Sequence, residues 1–449
     1  MTRPAHVLYV AWGFPPARGG GVYRALATSA AFADAGARVT VLTAAREAFE
    51  RYTAVDAALE AHVHPEVSVR RLPFDWPARE PDRARWSAVR RAAPRVWWRV
   101  RKELDRVSFP EVGYGPWRRV LEAGARQVHA DRAVDLVVAT ANPYVDLVAA
   151  DVLHRDHGVP YVVDYRDAWQ LDVFTGRRTH RRGSRVDRLE GRLMRDAREV
   201  WFVNEPIRAW HAEQHPAAAA LMHVVANGYD PQFAPAPRLE APDPARPLQF
   251  GYIGTMSRQV PLEAFRAGWA AAAARSAEVA SATAHLWGHS SHYAVEHPGS
   301  SSIPGTPGTP GTPGALPTGG SGGGVVVHGP VSKTAVAEVY AQLDVLLLIL
   351  GTGRYVTSGK VYEYLASALP VVSVHDPGNA ATQVLGDYPL WFPARDLSAE
   401  AVATALVSAA AAARTADRAT RQACADFALA SSREAQLGQR VSALLDAAR

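Results

Sequence analysis

The stretch that most constrains the fold is TSGKVYEYLASALPVV, at residues 357–372. It predicts a tight Ser-Gly turn, then a helix, then a buried strand that begins at Val371. Lys360 falls in the first turn of the helix, and Glu363 follows three residues later on the same side. A helix start presents free backbone N–H groups and a positive dipole end, so this stretch suits a diphosphate beside Lys360 and a ribose diol beside Glu363. An ordinary helix with an exposed lysine and glutamate is the simpler alternative.

The beginning of the chain has the pattern of a parallel α/β domain. An apolar run at 6–11 (HVLYVA) precedes three glycines at 19–21, a stretch of helical composition at 22–35 and a second apolar run at 39–42. Glycines at this place let the backbone approach a ligand at a helix N-terminus. A flexible turn explains them equally well. No G-x-G-x-x-G occurs, so the dinucleotide fingerprint is absent.

Polar side chains follow two further apolar runs of the first half. The run at 135–140 leads to Asn142 and Pro143, and the run at 161–164 leads into DYRDAW, which contains Arg166 and Asp167. Because α/β folds bind ligands at the carboxyl ends of parallel strands, we expect Asn142, Arg166 and Asp167 to contact an acceptor. A structural network of ion pairs is the alternative for such a charged cluster.

A proline-rich segment separates the first half from a second α/β pattern. Five prolines and little apolar pattern at 233–247 indicate a linker. The next strand, 248–253, runs into Gly254, Thr255, Met256, Ser257 and Arg258. A strand, a Gly-Thr turn and an arginine before a helix predict a second anion site. A surface arginine after an ordinary turn is the alternative.

These patterns predict an N-terminal domain at 1–235, a linker at 236–247, a second domain at 248–425 and a C-terminal helix at 426–449. Within the second domain, residues 298–324 repeat Gly-Thr-Pro and close with a Gly-Ser run. Such a composition cannot bury a core, so we expect a disordered insertion there.

Composition narrows the functional classes. The formal net charge of +5 permits anionic substrates without demanding nucleic acid, and none is predicted. Cys424 is the only cysteine, which excludes an intrachain disulfide and a multi-cysteine metal site. We find no signal-peptide pattern and no apolar run long enough to span a membrane, so we expect a cytoplasmic protein.

Residues 83–106 are basic and rich in tryptophan, and most of the basic residues lie between Arg83 and Lys102. Such a segment, if helical, can lie on an anionic membrane surface. The alternative is a solvated helix whose tryptophans pack on the domain. Pro94 interrupts any single continuous helix.

Five motifs in order resemble those of GT-B glycosyltransferases, most closely the retaining enzymes of glycosyltransferase family 4. They are the glycines at 19–21, DYRDAW at 164–169, NGYD at 227–230, GYIGTMSR at 251–258 and TSGKVYEYLA at 357–366. The resemblance implies an α/β GT-B fold with two Rossmann-like domains that face across a cleft, and a C-terminal helix that returns to the N-domain. It also implies transfer of a sugar from a nucleoside-diphosphate sugar to a small-molecule or glycan acceptor.

The resemblance assigns roles to individual residues. Arg258 and Lys360 are expected to act on the donor pyrophosphate as the catalytic cations, and Glu363 to bind the ribose. The rest of the nucleotide-sugar site is expected at Gly20, Gly21, Gly254, Thr255, Tyr355, Thr357, Ser358 and Gly359. No metal and no cofactor is expected, because two cations and a helix end can stabilise the departing diphosphate.

Two departures from the family pattern bear on function. Tyr355 stands where many relatives have a glutamate that contacts the transferred sugar, which suggests an altered donor such as a deoxy or amino sugar. Glu263 stands where many relatives have a lysine, and Lys360 is expected to supply that cation. Three functions stay open: a transferase acting in polysaccharide or secondary-metabolite assembly, a transferase on the inner face of the membrane with a lipid-linked acceptor, and a non-catalytic GT-B binding protein.

Overall fold

The computed structural model describes residues 3–288, 324–331, 335–351 and 353–447. The predicted insertion at 298–324 therefore lies outside the described residues except for Gly324. The chain forms two compact units. The first comprises Met1–Asp172, Arg177–Ala226 and Gln436–Arg449, and the second comprises Val173–Gly176 and Asn227–Ala435.

The first unit is built on a seven-stranded sheet in the order β3-β2-β1-β4-β5-β6-β7. Every neighbouring pair in this sheet is parallel. The strands are β1 (His6–Val10), β2 (Arg38–Ala44), β3 (Val67–Leu72), β4 (Leu136–Thr140), β5 (Tyr161–Tyr165), β6 (Glu199–Phe202) and β7 (Met222–Val224). β1 and β5 are buried along their whole length, as expected for central strands covered by helices on both faces.

Helices of the first unit connect these strands in sequence. They are Gly20–Asp34, Arg46–Tyr52, Ala88–Ala92, Pro94–Ser108, Arg118–Asp131, Leu147–His157, Arg185–Asp196 and Glu205–Gln214. Short 3-10 helices lie at Ala57–His62, Pro77–Arg79, Arg83–Arg85, Gly115–Trp117, Tyr144–Asp146 and Pro216–Leu221. Pro94 is the first residue of its helix, where its missing N–H leaves no bond unmade, and it divides the basic segment as predicted.

The second unit is built on a six-stranded sheet in the order β10-β9-β8-β11-β12-β13, again with parallel neighbours. Its strands are β8 (Gln249–Ile253), β9 (Thr283–Trp287), β10 (Val325–His328), β11 (Val345–Ile349), β12 (Val371–Val374) and β13 (Trp391–Pro393). Its helices are Leu262–Ala273, Ala277–Ser281, Val336–Ala341, Lys360–Ala366, Ala381–Leu385, Ala399–Thr415 and Arg418–Leu429.

The core of the second unit lies between this sheet and two long helices. Phe250, Trp269 and Leu406 are buried there. Alternate residues of β11, namely Val345, Leu347 and Ile349, join them. A β-carbon at Gly268 would overlap the Val402 side chain, so a glycine lets helix Leu262–Ala273 approach helix Ala399–Thr415 closely.

The last helix, Arg433–Asp446, has most of its length in the first unit. There Arg440 Nη1 lies 3.5 Å from Glu199 Oε1. The α/β class, two Rossmann-like domains and a C-terminal helix that returns to the first of them were predicted from the sequence and are confirmed. None of the helices in the described ranges is long and apolar enough to cross a membrane.

Candidate active site

In the second unit, β8 delivers Gly254 to the carboxyl edge of the sheet. The N–H of Gly254 donates to the carbonyl of Trp287 at 2.8 Å, which fixes the turn. The Nζ of Lys360 occupies the position that a β-carbon on residue 254 would need. The structure therefore brings together Gly254 and Lys360, which the sequence placed in two separate anion-binding motifs.

Tyr252 supports this arrangement from below. Its ring centroid lies 5.3 Å from Lys360 Nζ, a distance at which the ring face attracts a cation. Its hydroxyl donates to the carbonyl of Thr255 at 3.1 Å. Burial raises the pKa of Tyr252 to about 12, so the phenol stays neutral and remains a hydrogen-bond donor near pH 7.

Glu363 lies one turn along the helix that begins at Lys360. The hydroxyl of Tyr340 donates to Glu363 Oε2 at 3.2 Å. Burial, and next the negative charge of Glu363, raises the pKa of Tyr340 well above its ordinary value. A neutral phenol therefore orients one carboxylate oxygen of Glu363, and the half-buried side chain can accept bonds from a diol.

The loops beside this pair carry the other predicted donor residues. Arg258 is exposed in a turn in which the N–H of Val260 donates to the carbonyl of Ser257 at 3.0 Å. The next residue of that turn, Gln259, packs against Gly351 at the end of β11. The turn that bears Arg258 thus contacts the loop that leads to Lys360.

The segment between β11 and the Lys360 helix is held by side chains that the sequence analysis missed. Asn379 Nδ2 donates to the carbonyls of Gly351 and Gly353 at 3.4 and 3.2 Å. The guanidinium carbon of Arg354 lies 5.1 Å from the centroid of the Tyr355 ring, whose edge contacts Gly176. No short sequence pattern connects Asn379 with this loop.

Thr255 and Gly359 are exposed, and Thr357 and Ser358 are half-buried. The N–H of Lys360 donates to Ser358 Oγ at 3.4 Å at the start of the helix. Helix Lys360–Ala366 has only seven residues, so its dipole is smaller than the sequence stretch suggested, and the Lys360 side chain carries more of the charge.

The first unit has a pocket of about 270 Å³ at the carboxyl edge of its sheet. Gly20, Gly21, Asn142 and Arg166 line it. Arg166 Nη2 lies 2.8 Å from Asp167 Oδ2, which also accepts from Asn142 Nδ2 at 2.7 Å. The three residues predicted on the acceptor side therefore form one hydrogen-bonded group, and two of them line the pocket.

Gly21 explains how the Arg166 guanidinium reaches this pocket. The Nη1 atom of Arg166 lies where a β-carbon on residue 21 would be, at the start of helix Gly20–Asp34. By contrast, a β-carbon on Gly20 would meet nothing within 4 Å. The glycine run thus has a specific steric requirement at Gly21 and none of this kind at Gly20.

Two buried carboxyl groups, those of Asp146 and Glu111, lie behind the pocket, and the sequence did not predict a role for either. Asp146 is fully buried and accepts from the N–H of Trp12 at 2.7 Å, and Glu111 accepts from the N–H of Val145 at 2.8 Å. Burial raises the pKa of Glu111 to about 7 and that of Asp146 well above its ordinary value. These carboxyls position the loops after β1 and β4.

Asp164, the first residue of DYRDAW, has a structural role. Arg24 Nη2 lies 2.6 Å from Asp164 Oδ1, and the two side chains are only 3% and 0% exposed. Arg24 also donates to the carbonyls of Val225 and Ala226 at 3.1 and 3.2 Å. This pair ties β5, the first helix and the end of β7 together.

Two parallel α/β units, with a lysine and a glutamate on a helix at the sheet edge of the second, are the architecture of the GT-B fold. Across the described ranges, no group of three His, Cys, Asp or Glu side chains is arranged to hold a metal ion. Residues 19–228 match the family described as Glycosyl transferase 4-like domain. The first half of the chain thus matches a glycosyltransferase family, and the whole chain has the GT-B fold that the motifs predicted.

Solved structures agree with this fold over nearly the whole chain. HepE of Anabaena in complex with UDP-glucose is 14% identical with a TM-score of 0.57, over 98% of this chain and 99% of that chain. Sucrose-phosphate synthase of Thermosynechococcus elongatus is 14% identical with a TM-score of 0.58, over 99% and 100%.

The E. coli trehalose-6-phosphate protein bound with UDP-2-fluoro glucose is 13% identical with a TM-score of 0.56, over 98% and 99%. No curated protein matches the chain by sequence.

Proposed function

We propose that this protein transfers a sugar from a nucleoside-diphosphate sugar to a hydroxyl or amine of an acceptor, with retention of anomeric configuration, in polysaccharide or secondary-metabolite biosynthesis. The observation that carries the proposal is the position of the Lys360 ammonium over Gly254, one helical turn from Glu363. The lysine can meet the diphosphate of a nucleotide, and the glutamate can meet its ribose. Two similar folds are described as bound to UDP-sugars, which favours a uridine diphosphate donor.

Lys360 and Arg258 act on the leaving group. Negative charge grows on the nucleoside diphosphate as the sugar departs, and preorganised cations lower the energy of that transition state. Glu363, oriented by Tyr340, accepts the ribose hydroxyls. Retention follows when the acceptor attacks from the face that the leaving phosphate vacates, and this mechanism needs no protein nucleophile, metal or cofactor.

Calorimetric titration with a set of nucleoside diphosphates, followed by turnover across a panel of donors, tests this function. We expect one base to bind best. Glu363→Ala should weaken nucleotide binding by about tenfold or more, while Lys360→Ala and Arg258→Ala chiefly lower turnover. Nucleotide binding without turnover of any donor would favour a non-catalytic GT-B protein. Unchanged affinity and rate in all three variants would remove the site assignment.

A second candidate, a transferase on the inner face of the cytoplasmic membrane with a lipid-linked acceptor, is favoured by the helix Pro94–Ser108. This helix exposes Val96, Val100, Leu104 and Val107, with Val107 73% exposed. Their spacing of three and four residues places them in one stripe. Arg95 and Arg99 are exposed on the adjoining stripe, together with Arg106, whose Nη1 lies 2.9 Å from Oε1 of the exposed Glu103. An apolar stripe beside a basic one suits an anionic lipid surface.

Co-sedimentation with vesicles distinguishes the two candidates. We expect the membrane enzyme to bind phosphatidylglycerol vesicles and to leave phosphatidylcholine vesicles, and Arg95→Gln with Arg99→Gln to weaken the binding. Arg38→Gln with Arg132→Gln is the matched control. These arginines line a separate pocket where β1, β2 and β3 of the first unit begin. Equal recovery with both kinds of vesicle, or none, would favour the soluble acceptor and a cytoplasmic location away from the membrane.

A further inference from the structure

We propose that the pocket of the first unit selects a small acceptor that carries an anionic group, a carboxylate or a phosphate, beside a flat apolar ring. This inference rests on the proposed function and names the chemistry of its acceptor. It concerns the 270 Å³ pocket lined by Trp12, Arg18, Tyr114, Asn142 and Arg166 among others.

The charge of the pocket lining points to an anion. Two guanidinium groups, those of Arg18 and Arg166, belong to the lining, and no aspartate or glutamate of the described chain does. Asp167 compensates Arg166 in part at 2.8 Å, but it is half exposed and shares the same oxygen with Asn142. The lining therefore keeps a positive excess, and guanidinium groups bind carboxylates and phosphates through paired N–H donors.

The carboxyl groups behind the pocket oppose this charge only weakly. Burial raises the pKa of Asp146 well above its ordinary value and that of Glu111 to about 7, which disfavours a negative charge on either group. The Oδ2 atom of Asp146 accepts a hydrogen bond from the N–H of Trp12. An anion in the pocket thus meets two cations and few fixed negative charges.

The aromatic side of the pocket is packed before any ligand binds. The rings of Trp12 and Tyr114 meet edge to face with centroids 5.5 Å apart, and Trp12 makes similar contacts with Phe49 and Phe74 at 5.3 and 5.5 Å. Rings packed in this way lose little freedom on binding, so they form a preorganised apolar surface. A planar ring can pack on it while its charged substituent reaches Arg166.

The size of the pocket limits the acceptor to a small molecule. Its 270 Å³ lies just below the ~300 Å³ at which small-molecule sites usually begin. A single substituted ring fits this volume, and a chain of several rings would extend outside it.

Calorimetry on the full chain without donor tests the proposal with three probes: 4-hydroxybenzoate, 4-hydroxyphenyl phosphate and the neutral methyl 4-hydroxybenzoate. We expect at least one charged probe to bind about tenfold more tightly than the ester. The stronger of the two charged probes tells carboxylate from phosphate. Equal binding of all three, or no binding of any at millimolar concentration, would overturn the proposal.

Variants then locate the effect. Arg166→Gln should bring the charged and neutral probes to within about twofold of each other, while leaving the affinity for the ester unchanged. Gly21→Ala should act in the same direction because its β-carbon displaces the guanidinium. A preference that survives both Arg166→Gln and Gly21→Ala would contradict the assignment.

A parallel titration with uridine diphosphate separates this proposal from the donor function. Bound nucleotide with no charge preference among the probes would reject the anionic acceptor and leave the transferase intact. A charge preference among the probes without nucleotide binding would support the anion-binding pocket and reject the nucleotide-sugar donor. Sugar transfer to a lipid-linked acceptor in vesicles, with no binding of the soluble charged probes, would assign the acceptor to the membrane and overturn the proposal.

Discussion

The ammonium group of Lys360 occupies the space that a β-carbon on Gly254 would need. The two residues come from different strand-to-helix connections, and their contact places a cation at the carboxyl edge of the second sheet. An alanine at 254 would therefore push the ammonium aside, and it would also press on the ring of Tyr252.

Gly254→Ala should reduce nucleoside-diphosphate affinity by about tenfold, because the displaced cation no longer faces the phosphates. Calorimetric titration measures the loss, and circular dichroism checks that the variant is folded. Gly386→Ala is the matched control, since its β-carbon would lie at an ordinary 3.6 Å from the nearest atom. An affinity equal to that of the parent chain would show that Lys360 does not act on the diphosphate.

Tyr340→Phe should weaken nucleotide binding about two- to tenfold, because Glu363 loses the hydrogen bond that orients it. The affinity for the free base should not change, which separates a ribose effect from a general loss. Tyr388→Phe is the control, because it removes a buried hydroxyl that donates to the Leu369 carbonyl in the same unit. A larger loss in Tyr388→Phe than in Tyr340→Phe would contradict this role for Tyr340.

Glu111→Gln should change how the stability of the protein depends on pH. The pKa of Glu111 is raised from 4.5 to about 7 by burial, so the folded chain binds this proton more tightly than the unfolded chain. The parent protein then loses stability as pH rises from about 4.5 through 7. The free energy of unfolding of Glu111→Gln should exceed that of the parent by ~1–3 kcal/mol at pH 8, and this difference should shrink toward pH 5.

Thermal denaturation from pH 5 to pH 8.5 measures how the stability difference between Glu111→Gln and the parent depends on pH. Glu66→Gln, an exposed glutamate in the same unit, provides the reference. Parallel curves for the parent and Glu111→Gln would mean that the Glu111 carboxyl is not held in its protonated form by burial.

Asp164→Asn should destabilise the first unit by about 3–5 kcal/mol, because it leaves the Arg24 charge buried without its partner. Urea denaturation followed by circular dichroism measures the change. In the double variant Arg24→Met with Asp164→Leu the loss should be smaller than in either single variant.

The exposed pair of Arg46 and Glu50 serves as the control for Asp164→Asn. Its side chains are 41% and 48% exposed and the pair is screened by solvent, so Arg46→Met should change stability far less than Asp164→Asn. Similar losses at both pairs would contradict a specific role for the buried one.

The sequence predicted most strands because their composition is local information. The strand predicted at 248–253 is observed at Gln249–Ile253, and the strand predicted to begin at Val371 begins there. The strand Val67–Leu72 was missed, because Ser68 and Arg70 interrupt its apolar residues at the edge of the sheet. The stretch of helical composition at 22–35 is observed as the helix Gly20–Asp34.

The candidate site divides in the same way. Lys360 and Glu363 are three residues apart, so helical geometry alone puts them on one side. The partners that orient them, Tyr252 and Tyr340, are reached only through the fold. Likewise, the motif DYRDAW did not reveal that Asp164 is a buried structural partner while Arg166 lines a pocket.

The order of strands, helices and polar strand ends was thus written in the amino-acid sequence, because periodicity and turn chemistry act over a few residues. Which glycine makes room for which cation, and which carboxyl is buried, was decided by the tertiary structure. Those properties depend on side chains that are far apart in the chain and meet only when the parallel sheets bring their strand ends to a common edge.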